Sequence, residues 1–302
     1  MKNALIALAL IAVIGFAGYW YLGSKPAPAA TEPAQEVSQA EPQPEPQATT
    51  TPAEDKTRTV LGQSVAGRDV IAYHYGEGEK EVLFIGGIHG GYEWNTPLLA
   101  YELMEYLTMQ PAAVPEGVKV TVIPVMNPDG LMKVVGTTSP YAAADVPAAK
   151  DVQIAGRVNG NGVDLNRNFD CDWQASGTWQ KQKVSGGTAP FSEPEAKAVK
   201  EYIEASSPDA VVVWFSAADG VYSSSCGAKV STETTALNKA YATASGYASH
   251  ENFDAYSVTG DITNWLAKND IPSISVLLTT HTDIEWMKNQ KGIKAVIEHV
   301  AK

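Results

Sequence analysis

The sequence predicts an α/β fold: a mixed, mostly parallel central sheet flanked by helices. Two observations carry this. Apolar, β-branched runs recur along the chain, and helical patterns with identifiable starts separate them. The runs are apolar on both faces, as strands in the middle of a covered sheet are.

The runs are EVLFIGGIH (81–89), VKVTVIPVMN (118–127), DAVVVWFSA (209–217) and SISVLLTT (273–280). Between them, NTPLLAYELMEYL reads as a helix with Asn95 or Thr96 as its cap and Pro97 in its first turn. SEPEAKAVKEYIEA carries Ser192 with Glu195 three residues on, the pattern of a capping box. DIEWMKNQKGIKAVIEHV forms a last helix. Sheets of this kind place their sites at the carboxyl ends of strands, so the chemistry is expected just after each apolar run.

This domain is expected over residues 59–302. Residues 1–23 contain an uncharged run from Ala4 to Gly23, close to the roughly 20 residues that cross a bilayer. Lys2 precedes it, and Tyr19, Trp20 and Tyr21 stand at its far end, where aromatic rings favour the membrane interface. An N-terminal membrane anchor is the reading; a cleaved signal segment with secretion is the alternative. Both place the domain outside the cytoplasm. Residues 24–58 are rich in Pro, Ala, Glu and Gln, and six acids but no Lys or Arg lie between Pro26 and Asp55. Such a segment buries too little apolar surface to order itself and is expected to be a disordered linker. The net charge of −12 and the lack of a basic stripe exclude nucleic acid as a partner. The chain has two cysteines, Cys171 and Cys226. In an exported domain they predict a disulfide, with two buried free thiols as the alternative.

Chemistry-bearing residues follow the runs. His89 and Glu93, four apart at a strand-to-helix turn, offer an imidazole and a carboxylate that can converge on Zn²⁺. Arg157, Asn166 and Arg167 lie in a Gly/Asn-rich loop and can grip a carboxylate. Asp164 can accept the free ring N–H of a metal-bound histidine and fix its tautomer.

LGQSVAGRDV (61–70), GGIHGGYEWNT, VMNPDG (125–130), GVDLNRNF (162–169) and TGDITNWL (259–266) occur in an order that resembles the zinc metallocarboxypeptidases of the carboxypeptidase A/B type. The resemblance covers essentially the whole domain. It implies a zinc held by two histidines and a glutamate, with a water as fourth ligand and a late glutamate as general base. By that resemblance His89 and Glu93 match the first two metal ligands, with a gap one residue longer than the commonest family pattern. Asn166 and Arg167 match the clamp for a substrate's C-terminal carboxylate. Arg157 matches the carbonyl-polarising arginine, Tyr256 the tyrosine that closes over substrate, and Asp164 the partner of His89.

Two positions depart from the pattern. Phe215 stands where the third ligand, a histidine, is expected. Leu277, or Leu278 one residue on, stands where the general base is expected. Neither side chain can coordinate a metal or accept a proton. General-base catalysis typically contributes about 10²–10⁴-fold, and a catalytic zinc uses three protein ligands. The expectation is therefore weak or absent zinc binding and little hydrolysis. The domain would bind peptide or protein C-termini, including cell-wall peptide ends, without cleaving them. The alternative is an active metallocarboxypeptidase with non-standard ligation, with Asp219 or His281 swinging in. A third reading makes the clamp a relic in a purely structural domain.

Overall fold

The computed structural model describes residues 57–302. The anchor expected at 1–23 and all but the last two residues of the expected linker lie outside the described residues. No helix among the described residues is long and apolar enough to cross a membrane.

Eight strands form one sheet in the order β1-β2-β4-β3-β7-β10-β8-β9. In chain order these are β1 (Arg58–Gln63), β2 (Asp69–Tyr75), β3 (Lys80–Ile85), β4 (Val118–Ile123), β7 (Ala210–Ser216), β8 (Gly220–Ser223), β9 (Ser249–His250) and β10 (Ser273–Leu278). A small separate hairpin joins β5 (Ser176–Trp179) to β6 (Gln182–Ser185). The middle four strands, β4-β3-β7-β10, run parallel. The β1–β2, β2–β4 and β8–β10 pairs are antiparallel. The sheet is thus mixed and mostly parallel at its centre, as the sequence predicts.

Side chains alternate between two cores, as strand geometry requires. Phe84, Val212, Trp214 and Val276 face one core, together with helices α1 (Asn95–Met109), α5 (Thr232–Ser245) and α7 (Trp286–Ala301). Ile85, Val211, Val213 and Phe215 face the other, against α4 (Pro194–Ser206) and α6 (Ile262–Lys268). Every residue of β7 is buried, which explains why its sequence shows no polar face. Two shorter helices, α2 (Pro128–Val135) and α3 (Lys150–Ala155), lie near the loop that carries His89.

The expected helix caps form differently. The N-cap of α1 is Trp94, with no side-chain cap bond. Asn95 turns away, donating from Nδ2 to the carbonyls of Thr280 (2.7 Å) and Asp283 (3.0 Å). The Ser192–Glu195 capping box is absent. Glu193 occupies the N-cap position of α4, and Ser192 donates to its carboxylate. Glu195 points inward, where it accepts from Asn159 Nδ2 and the Val65 amide, and burial pushes its carboxyl up. A tertiary partner outcompetes the local cap in both places.

Cys171 and Cys226 form a disulfide across 55 residues. It ties the loop after Arg167 to the loop after β8.

Candidate functional site

The site lies at the carboxyl ends of β3, β7 and β10. The chain leaves β3 through Gly86 and Gly87 and makes a tight turn that carries His89 and Glu93. Tyr92 N donates to His89 O, and Thr96 N to Glu93 O. Gly90 has φ +44°, and a Cβ there would sit 2.7 Å from the Gly156 carbonyl oxygen. Only glycine fits. The turn accommodates the extra residue between His89 and Glu93 and still brings the two side chains together.

His89 Nε2 lies 3.1 Å from Asp164 Oδ1, and His89 Nδ1 lies 2.9 Å from Glu93 Oε1. Asp164 is 0% exposed. It also accepts from Arg157 Nε (3.1 Å) and Nη2 (2.9 Å). Burial opposes ionisation of Asp164, but Arg157 and then His89 outweigh it and hold its carboxyl well below the usual range. Burial and Arg157 disfavour the imidazolium of His89. The carboxylates of Glu93 and Asp164 win, and its pKa is raised. Arg157 is stacked on Trp179, its guanidinium carbon 4.4 Å from the ring centroid, with Tyr92 at 5.4 Å. The four charged groups make a nearly neutral buried set.

Within it, two atoms are left over. His89 Nδ1 approaches Glu93 without hydrogen-bond alignment, and Glu93 Oε2 has no hydrogen-bond partner among the described residues; both are buried. Buried polar atoms rarely stay orphaned, and a pair of ligand atoms facing one another is what half of a metal site leaves behind. The other half is missing. The Phe215 ring stands 5.7 Å from the His89 ring and is 6% exposed. Leu277 is the in-register neighbour of Phe215 and lines the same pocket, whereas Leu278 turns into the opposite core. Among the described residues, only Cys171, Asp172 and Cys226 bring three metal-competent side chains together, and the two sulfurs there are already bonded to each other. The residues around His89 do not fit a catalytic zinc, which needs three protein ligands.

The two residues considered as substitutes are engaged elsewhere. His281 places Nδ1 3.1 Å from Ser216 Oγ and Nε2 3.3 Å from Tyr92 OH. Ser216 Oγ donates to Asn95 Oδ1, so His281 Nδ1 carries the proton given to Ser216. Burial lowers the pKa of His281. Asp219 accepts from Thr279 Oγ1 on the exposed side. His74 bonds Thr59 and Thr121, and His250 stacks on Tyr222, both away from His89.

Asn166 and Arg167 sit on a short 3₁₀ turn started by Asp164, which accepts from the Asn166 amide. Gly260 (φ +67°) backs this turn: a Cβ there would lie 2.2 Å from the Arg167 carbonyl oxygen. Asn166 Nδ2 donates to Asp261 (2.8 Å), and Asn166 Oδ1 accepts from the Ile262 amide. Arg167 is 3% exposed, yet its one hydrogen bond from the guanidinium is a 3.3 Å contact to the Ser257 carbonyl. Among the described residues no carboxylate lies within 4.0 Å of it. Tyr256, 42% exposed, lies over it with the ring centroid 5.7 Å from the guanidinium carbon. Burial, first, raises the phenol pKa of Tyr256.

Asn166 and Tyr256, but not Arg167, border a cavity of about 170 Å³ that reaches from Glu93 and Phe215 to Asp261, Thr263 and Ser275. That is well under the roughly 300–1,000 Å³ of drug-sized sites and suits a single side chain. Sequence reasoning missed Asp261, Thr263, Ser275 and Trp179. Asp261 and Thr263 lie inside TGDITNWL, a segment read only for its family pattern.

The fold is a parallel-centred sheet that carries a His–carboxylate pair at its strand ends. The zinc carboxypeptidase family model matches residues 47–299, and the chain belongs to that family. The human carboxypeptidase N catalytic chain is 31% identical over 123 residues, 36% of this chain and 25% of that one. The gamma-D-glutamyl-L-diamino acid endopeptidase 1 of Lysinibacillus sphaericus is 26% identical over 163 residues, 47% of this chain and 41% of that one. The match thus spans well under half of either relative. Among solved structures, carboxypeptidase A of Helicoverpa armigera superposes with TM-score 0.66 at 18% identity, covering 81% of this chain and 68% of the other. Murein-tripeptide amidase MpaA of Escherichia coli O157 superposes with TM-score 0.55 at 17% identity, covering 81% and 92%.

Proposed function

We propose that this is a carboxypeptidase-like domain that binds peptide C-termini and does little or no hydrolysis. The observation that carries it is one contrast. The hydrolytic half of the site is walled by Phe215 and Leu277, while the buried guanidinium of Arg167 has no carboxylate within 4.0 Å among the described residues. A buried unpaired charge is costly, and a bound carboxylate relieves it. The curated relatives are named as peptidases, which supports a peptide as the ligand. The run from Ala4 to Gly23 would hold the domain at a membrane, facing out of the cytoplasm.

In this reading Arg167 and the remaining Asn166 N–H hold the terminal carboxylate, and Tyr256 covers it. Arg157 is not free to polarise a carbonyl, because Asp164 takes two of its N–H groups and Trp179 covers its face. No base stands beside the cavity at Leu277. A zinc, where a family member has one, supplies the activated water; here the donor set stops at two.

The test is titration with a peptide bearing a free C-terminus, in parallel with its C-terminal amide. The free acid should bind and the amide should not. Arg167→Ala should weaken binding by about 10- to 100-fold, the worth of a charge-assisted hydrogen bond. Rapid release of C-terminal residues in the presence of zinc would overturn the proposal.

A further inference from the structure

A second groove runs beside α1, apart from the site at the strand ends. It holds about 510 Å³ and shares no lining residue with the cavity beside Glu93. Tyr101, Glu102, Glu105 and Thr108 line it from α1, and with Leu98 they carry it along one face of that helix for about 15 Å. Tyr75 borders it from the end of β2, and Tyr141 from the loop after α2.

What this groove offers a ligand is one-sided. Of its four hydroxyls, three donate to main-chain carbonyls: Tyr101 to Thr138, Thr108 to Met104 and Tyr141 to Trp94. The same bonds fix the half-buried rings of Tyr101 and Tyr141, whose planes meet at 85° with centroids 6.4 Å apart. The carboxylates of Glu102 and Glu105 have no ion pair and no hydrogen bond among the described residues. They stand three apart on α1 and are therefore neighbours on its surface. No lysine, arginine or histidine lines the groove. A ligand thus meets aromatic rings and two unpaired anions. Both attract a cation: the rings through their quadrupole, the carboxylates through their charge. An anion would face two like charges, and a neutral sugar would find most of the hydroxyl protons already taken.

We infer that this groove docks a basic segment of a partner protein, with its lysine or arginine heads on Glu102 and Glu105 and against the rings of Tyr101 and Tyr141. Charge complementarity names the occupant, and the length of the groove along α1 suits a chain segment with neighbouring basic side chains rather than a lone amine. The site stands apart from the C-terminus-binding reading, because it uses none of the same residues.

The experiment titrates the full chain with tetralysine blocked at both ends, which offers no free carboxylate to Arg167. The same peptide acetylated on every side chain is the neutral control. Tetralysine should bind at least about ten-fold tighter than the control. Glu102→Gln with Glu105→Gln should cut its affinity about ten-fold. Glu201→Gln with Glu204→Gln makes the same charge change on α4, outside the groove, and should leave the affinity within about two-fold. Tyr101→Leu should weaken binding about three-fold, whereas Tyr101→Phe should keep it, because the hydroxyl serves Thr138 and not the ligand. The glutamate pairs decide the matter if Tyr101→Leu fails to fold. Equal loss with both glutamate pairs would mean attraction to the net charge of −12 alone and would overturn the inference. Binding of the acetylated peptide as tightly as tetralysine, or of neither, would overturn it as well.

Discussion

Phe215 and Leu277 are direct neighbours across the parallel β7–β10 pair, and both side chains reach the pocket that holds His89 and Glu93. Two apolar side chains 62 residues apart in sequence thus meet at one place. Together they make one wall of the site apolar.

The pair should be restorable. Phe215→His alone should raise zinc content toward one per chain without appreciable turnover, because no base is present. Adding Leu277→Glu should bring release of C-terminal residues, with the base accounting for about 10²–10⁴-fold over Phe215→His. Elemental analysis and a C-terminal release assay read the two steps separately. No rise in zinc with Phe215→His would show that His89 and Glu93 do not face position 215 as described.

Asp164→Asn should be strongly destabilising, by about 3–5 kcal/mol, because it leaves Arg157 buried with half its partner gone. His89 would lose its counter-charge on the Nε2 side at the same time. Denaturant unfolding measures this. A change under about 1 kcal/mol would mean that Arg157 is not committed to Asp164 and is open to other work.

The sheet was readable because β7 and β10 are β-branched and apolar, and the faces they pack on need nothing else. Their lengths were overread: EVLFIGGIH leaves the strand after Ile85, since Gly86 and Gly87 make the turn and only Ile88 prolongs the apolar look. The positions of His89, Glu93, Asn166 and Arg167 were legible through motif order. What was not legible depends on contacts between distant segments. Asn166 reaches Asp261 across 95 residues, and Trp179 covers Arg157 from a hairpin with no sequence signal of its own. Asn95 and Ser192 misled for the same reason: their local capping chemistry is plain in sequence, and the tertiary partners that displace it are not.

His89 gives a pH dependence with a definite sign. Its folded-state pKa is raised by Glu93 and Asp164 against burial and Arg157. The stabilisation is therefore fully present below the unfolded histidine value of about 6.5 and is lost as pH rises through the higher folded value. The metal-free domain should lose stability from mildly acidic to alkaline pH. Following the His89 ring protons by NMR should place the midpoint above that of free histidine, and Glu93→Gln should lower it. A midpoint below the free value would mean burial wins and His89 is neutral in the fold.

The Cys171–Cys226 bridge closes a loop of 55 residues, for which the chain-entropy argument gives about 4 kcal/mol. Its position makes the effect more than global. Cys171 O accepts from the Gly260 amide, and Phe169 N donates to Gly260 O, so the bridge anchors the end of the strip that holds Arg167 against TGDITNW. Replacing both cysteines by serine should lower the denaturation midpoint accordingly. It should also weaken binding of a C-terminal carboxylate more than binding at any surface remote from Arg167. Loss of stability with unchanged peptide affinity would show that Gly260 alone fixes the clamp.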